Sequence, residues 1–286
     1  MAITLGGGGS ASQIDEVVTL NNYADTVTLS DGRVYLKGGV YETNLSTYPL
    51  AATVMRKTGI NFYVGAQESS SRAIGWDGTH YWVAGSTNDT AYKYTAAGVY
   101  TGTSFSVAAQ TTVPYGIVWD GTFFWVLSNA NVVYKYNSAG VYQSVSWTAA
   151  GMSNAGDIEW DGTHFYLTDF TEDKVFKFNS AGVAVANYDV SAQALTPFGI
   201  TWDGTYFWVQ DGTEDTIFKY NTSFVYQGES FDVLADDTNG TALTYNGTHV
   251  AMVGYQKDRV NEYGLAKGAP SNDTVLAGGQ NYVRVA

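Results

Sequence analysis

The sequence has 286 residues and a formal net charge of −13 at neutral pH, from 14 Lys and Arg against 27 Asp and Glu. This acidic balance, with no basic stripe, argues against a nucleic-acid partner, and the absence of cysteine excludes disulfides and thiolate metal sites. Aromatic residues make up 15% of the chain and charged residues 14%, with 32 glycines, which favours short strands joined by tight turns and predicts an all-β protein.

The chain begins with MAITLGGGGS, and its glycines predict a flexible segment over residues 1–12. A synthetic linker also reads GGGGS, so both origins fit. The segment has no basic n-region, and its apolar run is far too short for a signal peptide. No stretch approaches the roughly 18 apolar residues of a membrane helix. We therefore expect a protein that is made in the cytoplasm without a signal peptide and is not inserted into a membrane.

The next segment, residues 13–60, contains DTVTLSDGRVYLKGGVYET, which alternates in polarity and is rich in turn residues. It predicts a small β element. At the other end of the chain, residues 264–286 finish with NYVRVA, which predicts another strand. Since both segments would leave the central part of the chain at the same place, we expect the C-terminal tail to pack near the N-terminal segment as one small β attachment region.

The central part of the chain is a repeat. An Asp-Gly pair follows Trp76, Trp119, Trp160 and Trp202, and Tyr245 begins the variant YNGTHVAM. The intervals between these positions are 43, 41, 42 and 43 residues. A period of roughly 40 to 45 residues is typical of β-propeller blades.

One unit of the repeat predicts four strands. In residues 199–233 these are GITW, TYFWVQD, TIFKYN and ESFDV. The Asp-Gly pair after GITW suits a tight hairpin turn. Successive side chains of the second strand point to opposite faces, and both faces are apolar, as the packing of a blade between two neighbours requires.

The number of blades follows from the two ends of the repeat. The fifth unit has only three strands, whereas NFYVGAQ, before the first unit, aligns with SFSVAAQ 43 residues later. We therefore predict that residues 61–66 pair with 258–263 and close a five-bladed propeller over residues 61–263. The alternative is a six-bladed ring in which residues 17–48 form another blade, although SDGRVYL is the nearest approach there to the repeated phrase.

Four large aromatic side chains occupy one position of the second strand. The position predicts core packing in preference to exposed platforms on which sugar rings stack, and the four residues are Trp82, Trp125, Tyr166 and Trp208.

Candidate metal ligands follow the repeat as well. His80, His164 and His249 hold one repeat position in different blades, so a ring would keep them apart, and we expect no metal there. Oxygen ligands for Ca²⁺ occur in DFTED and DGTED, at Asp169, Glu172, Asp173, Asp211, Glu214 and Asp215. Neither segment matches an EF-hand loop, and a solvated acidic turn is the preferred interpretation.

A search for catalytic motifs finds no nucleophile elbow, no phosphate-binding glycine loop and no carboxylate pair that the repeat does not explain. We therefore predict no catalytic residues, no cofactor and no metal, and a protein that is not an enzyme.

The repeat units VYKYNSAGVYQ and AYKYTAAGVYTGTSFSVAAQTTVPYGIVWDGTFFWV resemble the propeller-like repeats of tail-fibre and other virion proteins of tailed bacteriophages. The flanking DGRVYLKGGVYETNLSTYP and NYVRVA also look like segments that bracket such repeats in phage tail proteins. The resemblance covers residues 20–286. It departs from the pattern at Tyr245-Asn246-Gly247, and the chain is short for a fibre.

The resemblance implies a structural or adhesive virion protein that leaves the host by lysis. It would be a fibre, adaptor, tip or decoration subunit, present in several copies of a symmetric assembly. Its termini would dock on other tail proteins, and its propeller would be presented to the host surface or to neighbouring subunits. The alternatives are a free-standing lectin-like propeller, which binds carbohydrate, and, ranked below it, a lyase or glycosidase centred on the channel.

Loops on a rigid scaffold usually carry binding specificity. The polar turns between second and third strands are therefore the predicted binding residues: Asn88, Asn129, Glu172, Glu214 and Lys257.

Overall fold

The computed structural model describes residues 55–233 and 240–265, together with seven short strands that flank them. All the regular structure in these parts of the chain is β. No helix there is long and apolar enough to span a membrane. The chain divides into two compact units, Met1–Val54 with Leu265–Ala286, and Met55–Gly264.

The first unit contains two sheets. Strand β1 (Ala2–Thr4) pairs with β2 (Val17–Thr19). The second sheet has the order β3-β4-β27-β26-β5, and its strands are β3 (Thr26–Thr28), β4 (Val34–Lys37), β5 (Val40–Tyr41), β26 (Thr274–Ala277) and β27 (Gln280–Arg284). Strands from the two ends of the chain therefore pair in one small sheet.

Strand β1 lies within residues 1–12, for which the sequence predicts flexibility. Its three residues are Ala, Ile and Thr, two of them β-branched and suited to a strand. The glycines at positions 6–9 lie outside the described residues.

The second unit is a five-bladed β-propeller, as the sequence predicts. Each blade is a four-stranded antiparallel sheet, and in four of the five blades the strands follow chain order. The first two blades consist of β7 (Ser71–Trp76), β8 (His80–Gly85), β9 (Thr90–Thr95) and β10 (Tyr100–Ser106), and of β11 (Pro114–Trp119), β12 (Phe123–Ser128), β13 (Val132–Asn137) and β14 (Tyr142–Thr148).

The next two blades consist of β15 (Ala155–Trp160), β16 (His164–Asp169), β17 (Lys174–Asn179) and β18 (Ala184–Asp189), and of β19 (Pro197–Trp202), β20 (Phe207–Asp211), β21 (Thr216–Tyr220) and β22 (Tyr226–Asp232). The fifth blade consists of β23 (Gly240–Tyr245), β24 (Val250–Gly254), β25 (Arg259–Leu265) and β6 (Met55–Tyr63).

The fifth blade confirms the closure of the ring by an N-terminal strand. The closing strand, however, begins at Met55 and ends at Tyr63, whereas the sequence predicts residues 61–66. Phe62 and Phe105 are equivalent, as the alignment requires, and both lie at the end of a fourth strand. Val64 starts the turn that follows the strand, and its N–H donates to the carbonyl of Asp258 at 2.8 Å.

That turn is the same in every blade. The N–H of the residue after the fourth strand donates to the carbonyl of a residue with positive φ before the third strand. The pairs, in blade order from the first, are Val107 with Asp89, Ala149 with Asn131, Val190 with Asp173, Val233 with Asp215 and Val64 with Asp258. Blade 5, whose fourth strand comes from the N-terminal side, is therefore closed by the same hydrogen bond as the continuous blades.

The repeated Trp-Asp-Gly-Thr phrase forms the turn between first and second strands. In the first blade the Asp77 carboxylate accepts the N–H groups of Thr79 and His80 and the indole N–H of Trp82, at 2.9, 2.8 and 2.8 Å. Gly78 has a φ of 93°, which only glycine adopts without strain. One carboxylate thus orders the turn and orients the large aromatic of the next strand.

The aromatic residues of that position form the core, as predicted. Trp82, Trp125, Tyr166 and Trp208 are between 2% and 5% exposed. Each packs in a different cluster of buried side chains. They are therefore not exposed platforms for sugar stacking.

The first strands of the blades pack against one another around the axis. Among them, β15 alone places carboxylates in this position, at Asp157 and Glu159. Asp157 is fully buried. Its carboxylate accepts the backbone N–H groups of Ile158, Ile200 and Leu243 at 2.8, 3.1 and 3.0 Å. The donors come from three blades, so this side chain bridges the axis. We name it the axial clamp.

The axial clamp makes a testable contribution to stability. Asp157→Ala would leave three buried N–H groups without an acceptor, at about 1–3 kcal/mol each, so we expect a loss of at least about 3 kcal/mol in urea unfolding. Asp189→Ala is the matched control, since this exposed carboxylate accepts one N–H, from Ser191. It should cost less than about 1 kcal/mol. Equal losses in the two variants would contradict the clamp.

Candidate functional site

One end of the propeller axis carries a group of side chains that departs from the repeat. At this end the first strand of each blade begins and the second strand ends. Each blade contributes one half-buried side chain to the group. We name the group the axial arc, and its members, following the ring from blade 5 to blade 4, are Tyr255, Arg72, Tyr115, Phe170 and Phe198.

Each member of the axial arc contacts the next one around the ring. The Arg72 guanidinium carbon lies 4.5 Å from the ring centroid of Tyr255 and 5.4 Å from that of Tyr115. The Tyr115 and Phe170 rings meet edge to face at 6.4 Å. Phe170 and Phe198 stack with centroids 4.6 Å apart. Four aromatic rings and one cation thus form a continuous band across the five blades.

Glycines at neighbouring positions leave space for the large side chains of the arc. Three of its members are the second residues of first strands, where blade 3 has Gly156. A Cβ at Gly212 would lie 2.4 Å from the Phe198 ring, so only glycine lets that ring lie flat against the fourth blade. Small residues at some of these positions therefore leave space for the large side chains at the others.

The axial clamp lies next to the arc along the first strands. Asp157 is the third residue of its strand, one position further in than the arc residues Arg72, Tyr115 and Phe198. A Cβ at Gly116 would lie 2.6 Å from its Oδ1, so the carboxylate packs directly against the second blade as well. The arc consequently lies at the end of the axis one strand position from a buried carboxylate.

Glu159 lies deeper along the same strand. Its Oε1 accepts the N–H of Trp160 at 2.7 Å, and its Oε2 accepts the hydroxyl of Thr201 at 2.7 Å and the N–H of Trp202 at 3.2 Å. Both oxygens are thus engaged within the protein. The pair Asp157 and Glu159 ties blade 3 to blades 4 and 5, and we assign it a structural role.

The predicted binding residues lie at the same end as the arc. Each is exposed, and each belongs to a different blade, on the turn that follows its second strand. They surround the arc as an outer ring of turns: Asn88, Asn129, Glu172, Glu214 and Lys257. The side chains do not converge on one point, and as binding residues they remain a prediction.

The sequence pattern did not lead to the arc. The repeat draws attention to what the blades share, whereas the arc consists of residues that differ at equivalent positions. The second residue of the first strand is Arg72, Tyr115, Gly156, Phe198 or Thr241. The sequence feature that could have indicated the arc is the presence of large, variable residues at a position next to the axis.

The three histidines stay in separate blades. His80 Nδ1 lies 3.7 Å from Asp77, and His249 Nδ1 lies 3.3 Å from Glu262. Within the described ranges no group of three or more His, Asp or Glu side chains is arranged to hold a metal ion.

The interpretation of Asp169 and Asp211 as part of a solvated acidic turn is wrong. Both are fully buried. The Asp169 carboxylate accepts four backbone N–H groups, from Ser153, Asn154, Thr171 and Glu172, at 2.6 to 3.2 Å. Backbone donors replace water around this charge, which is why it can be buried. The carboxylate therefore staples two turns together.

Burial raises the pKa of Glu159 from an ordinary value of 4.5 to about 7, and its hydrogen-bond donors oppose the shift. Between pH 4.5 and 7 the folded protein keeps a proton that the unfolded chain releases. The free energy of unfolding therefore falls as pH rises through this window, by about 3 kcal/mol from this group. Asp157, whose pKa burial also raises, acts in the same direction.

Urea unfolding from pH 4 to 8 measures this effect. Glu159→Gln cannot titrate, so its stability should decline less steeply than that of the unaltered protein between pH 4.5 and 7. The variant's lower absolute stability does not matter, because the slope is the readout. Identical slopes would show that Glu159 titrates at its ordinary pKa.

No protein-family model matches the sequence, and no characterised protein sequence matches it. Among solved structures, the fold is similar to Myxococcus xanthus glutaminyl cyclase, with a TM-score of 0.57 and 10% identity over 73% of this chain and 95% of that one. Streptogramin B lyase has a TM-score of 0.45 and 14% identity, covering 75% and 78%. Staphylococcus aureus virginiamycin B lyase has 0.46 and 13%, covering 87% and 85%.

These comparisons correct the prediction that the chain is not an enzyme. Myxococcus xanthus glutaminyl cyclase, to which the fold is similar, is an enzyme, so the absence of catalytic sequence motifs does not exclude catalysis on this architecture. Catalytic groups of a propeller can come from several blades and leave no local motif. At 10% identity the likeness to the cyclase establishes a common fold and no common activity.

Proposed function

We propose that this protein is a tail-associated component of a tailed bacteriophage, and that its propeller binds a glycan of the host surface through the axial arc. The observation that carries the proposal is the arc itself. Four half-buried aromatic rings and a guanidinium contact one another on a rigid scaffold, and ligand sites are usually lined by aromatic side chains with a few polar groups.

A sugar ring suits this surface. The faces of a pyranose present C–H groups, which are attracted to the negative face of an aromatic ring. Its hydroxyl groups remain at the edge, where polar turns surround the arc. Because the rings are held by contacts with one another, little side-chain freedom is lost on binding.

The repeats and their bracketing segments, which resemble phage tail proteins, support the virion assignment. So does the pairing of β4 with β27, since strands from both ends of the chain form a sheet in a unit separate from the propeller. In the proposal this unit docks on other tail proteins in several copies. Immunogold labelling of purified particles tests it, and labelled tails are expected. Unlabelled particles would leave a free-standing lectin.

Binding depends on the arc in this proposal. Truncating an aromatic hot-spot side chain costs about 2 kcal/mol or more, so Phe170→Ala and Tyr255→Ala should each weaken binding to host-surface polysaccharide about tenfold or more. Isothermal titration calorimetry measures the affinities, and thermal unfolding confirms that both variants are folded.

The outer ring of turns supplies the matched controls. Asn129→Ala and Lys257→Ala remove exposed side chains at the same end of the propeller, and we expect changes below threefold. Loss of binding in these two variants, with full binding in the arc variants, would move the site to the turns. No binding by the unaltered protein to any host polysaccharide would refute the glycan proposal.

A further inference from the structure

We infer that the ligand of the axial arc carries a carboxylate, and that Arg72 recognises it, so that the glycan contains a uronic acid or a similar acidic sugar. This inference rests on the proposed function. It concerns the chemistry of the ligand, which aromatic rings alone would leave open.

Arg72 is held in place without a carboxylate partner. Its Nε donates to the hydroxyl of Ser86 at 3.2 Å, and its guanidinium lies between the Tyr115 and Tyr255 rings. Within residues 55–233 and 240–265, its terminal nitrogens have no hydrogen-bond or ion-pair partner. The position of the group is therefore fixed, while most of its five N–H donors remain for a ligand.

This lack of an ion pair is unexpected in a chain with 27 acidic and 14 basic residues. Two buried carboxylates at the same end are engaged by backbone groups. Glu68 accepts the N–H groups of Ser70, Thr87 and Asn88, and the Asp211 carboxylate accepts those of Thr196, Thr213 and Glu214. These two acids are thus satisfied without Arg72, which keeps its positive charge for another anion.

The geometry favours a carboxylate attached directly to a sugar ring. Aromatic rings flank the guanidinium, so an anion approaches its edge, where the planar fork matches the two oxygens of a carboxylate. In a uronic acid the carboxylate is one bond from the ring. The same residue can therefore stack on an arc ring and pair with Arg72 at once.

The test is a set of uronic-acid oligosaccharides, each paired with its carboxyl-reduced neutral form and accompanied by phosphorylated sugars, on a glycan array with calorimetry of the hits. A hydrogen bond to a charged group contributes about 1.5–3 kcal/mol, which is about 10- to 150-fold in affinity. We expect the acidic form to bind more tightly than its neutral counterpart by a factor in this range.

Three variants assign the preference to Arg72. Arg72→Gln should abolish the preference for the acidic form while leaving the affinity for the neutral form within threefold. Arg72→Lys keeps the charge without the fork and should retain part of the preference. Lys174→Gln removes one positive charge from the start of a third strand at the same end and should retain all of it.

The outcomes separate this inference from the function on which it rests. If the acidic and neutral forms bind equally well, and Phe170→Ala weakens the binding of both, the inference of a carboxylate would be wrong while the glycan site would stand. Binding of phosphorylated sugars alone would also overturn it. Binding of no sugar would overturn both proposals. If Arg72→Gln does not fold, the comparison of acidic and neutral forms on the unaltered protein still decides.

Discussion

The fold depends on the approach of five first strands around one axis, and on the single carboxylate that makes this approach possible. The backbone N–H groups of Ile200 and Leu243 point toward the axis, where no strand can pair with them. Asp157 accepts both and so joins blade 3 to blades 4 and 5. Small residues allow the strands to close in. A Cβ at Gly75 would lie 2.4 Å from the carbonyl oxygen of Ile117. The narrow axis and its buried carboxyl group therefore depend on each other.

A second buried polar contact lies at the seam, which is the boundary between blades 5 and 1. In the first four blades an Asp of the turn, an aromatic and a Lys of the third strand form a local group, as Asp77, Trp82 and Lys93 do. In blade 5 the equivalent of that Lys is the buried Glu262. It accepts the Tyr81 hydroxyl of blade 1 at 2.6 Å. The charge reversal therefore converts a bond within one blade into a bond across the seam.

Much of this fold follows from the sequence because it depends on repetition. The period sets the number of blades, and the incomplete fifth unit sets how the ring closes. The alternation of Phe207 and Trp208 predicts two buried faces, which the structure confirms. Strand ends were less predictable. The closing strand begins six residues before the predicted position, because pairing with β25 extends it beyond the stretch that resembles the repeat.

The candidate site was not predictable in the same way, and the reason lies in where its contacts are made. Asp120 and Asp203 accept hydrogen bonds from residues of their own turns, so the sequence of one blade explains them. Arg72 instead contacts rings of blades 2 and 5, and Phe170 contacts rings of blades 2 and 4. The separations of these partners run from 28 residues for Phe170 and Phe198 to 183 residues for Arg72 and Tyr255, so no single spacing links them. In this propeller, therefore, the residues that repeat define the blade, and the residues that break the repeat beside the axis form the candidate site.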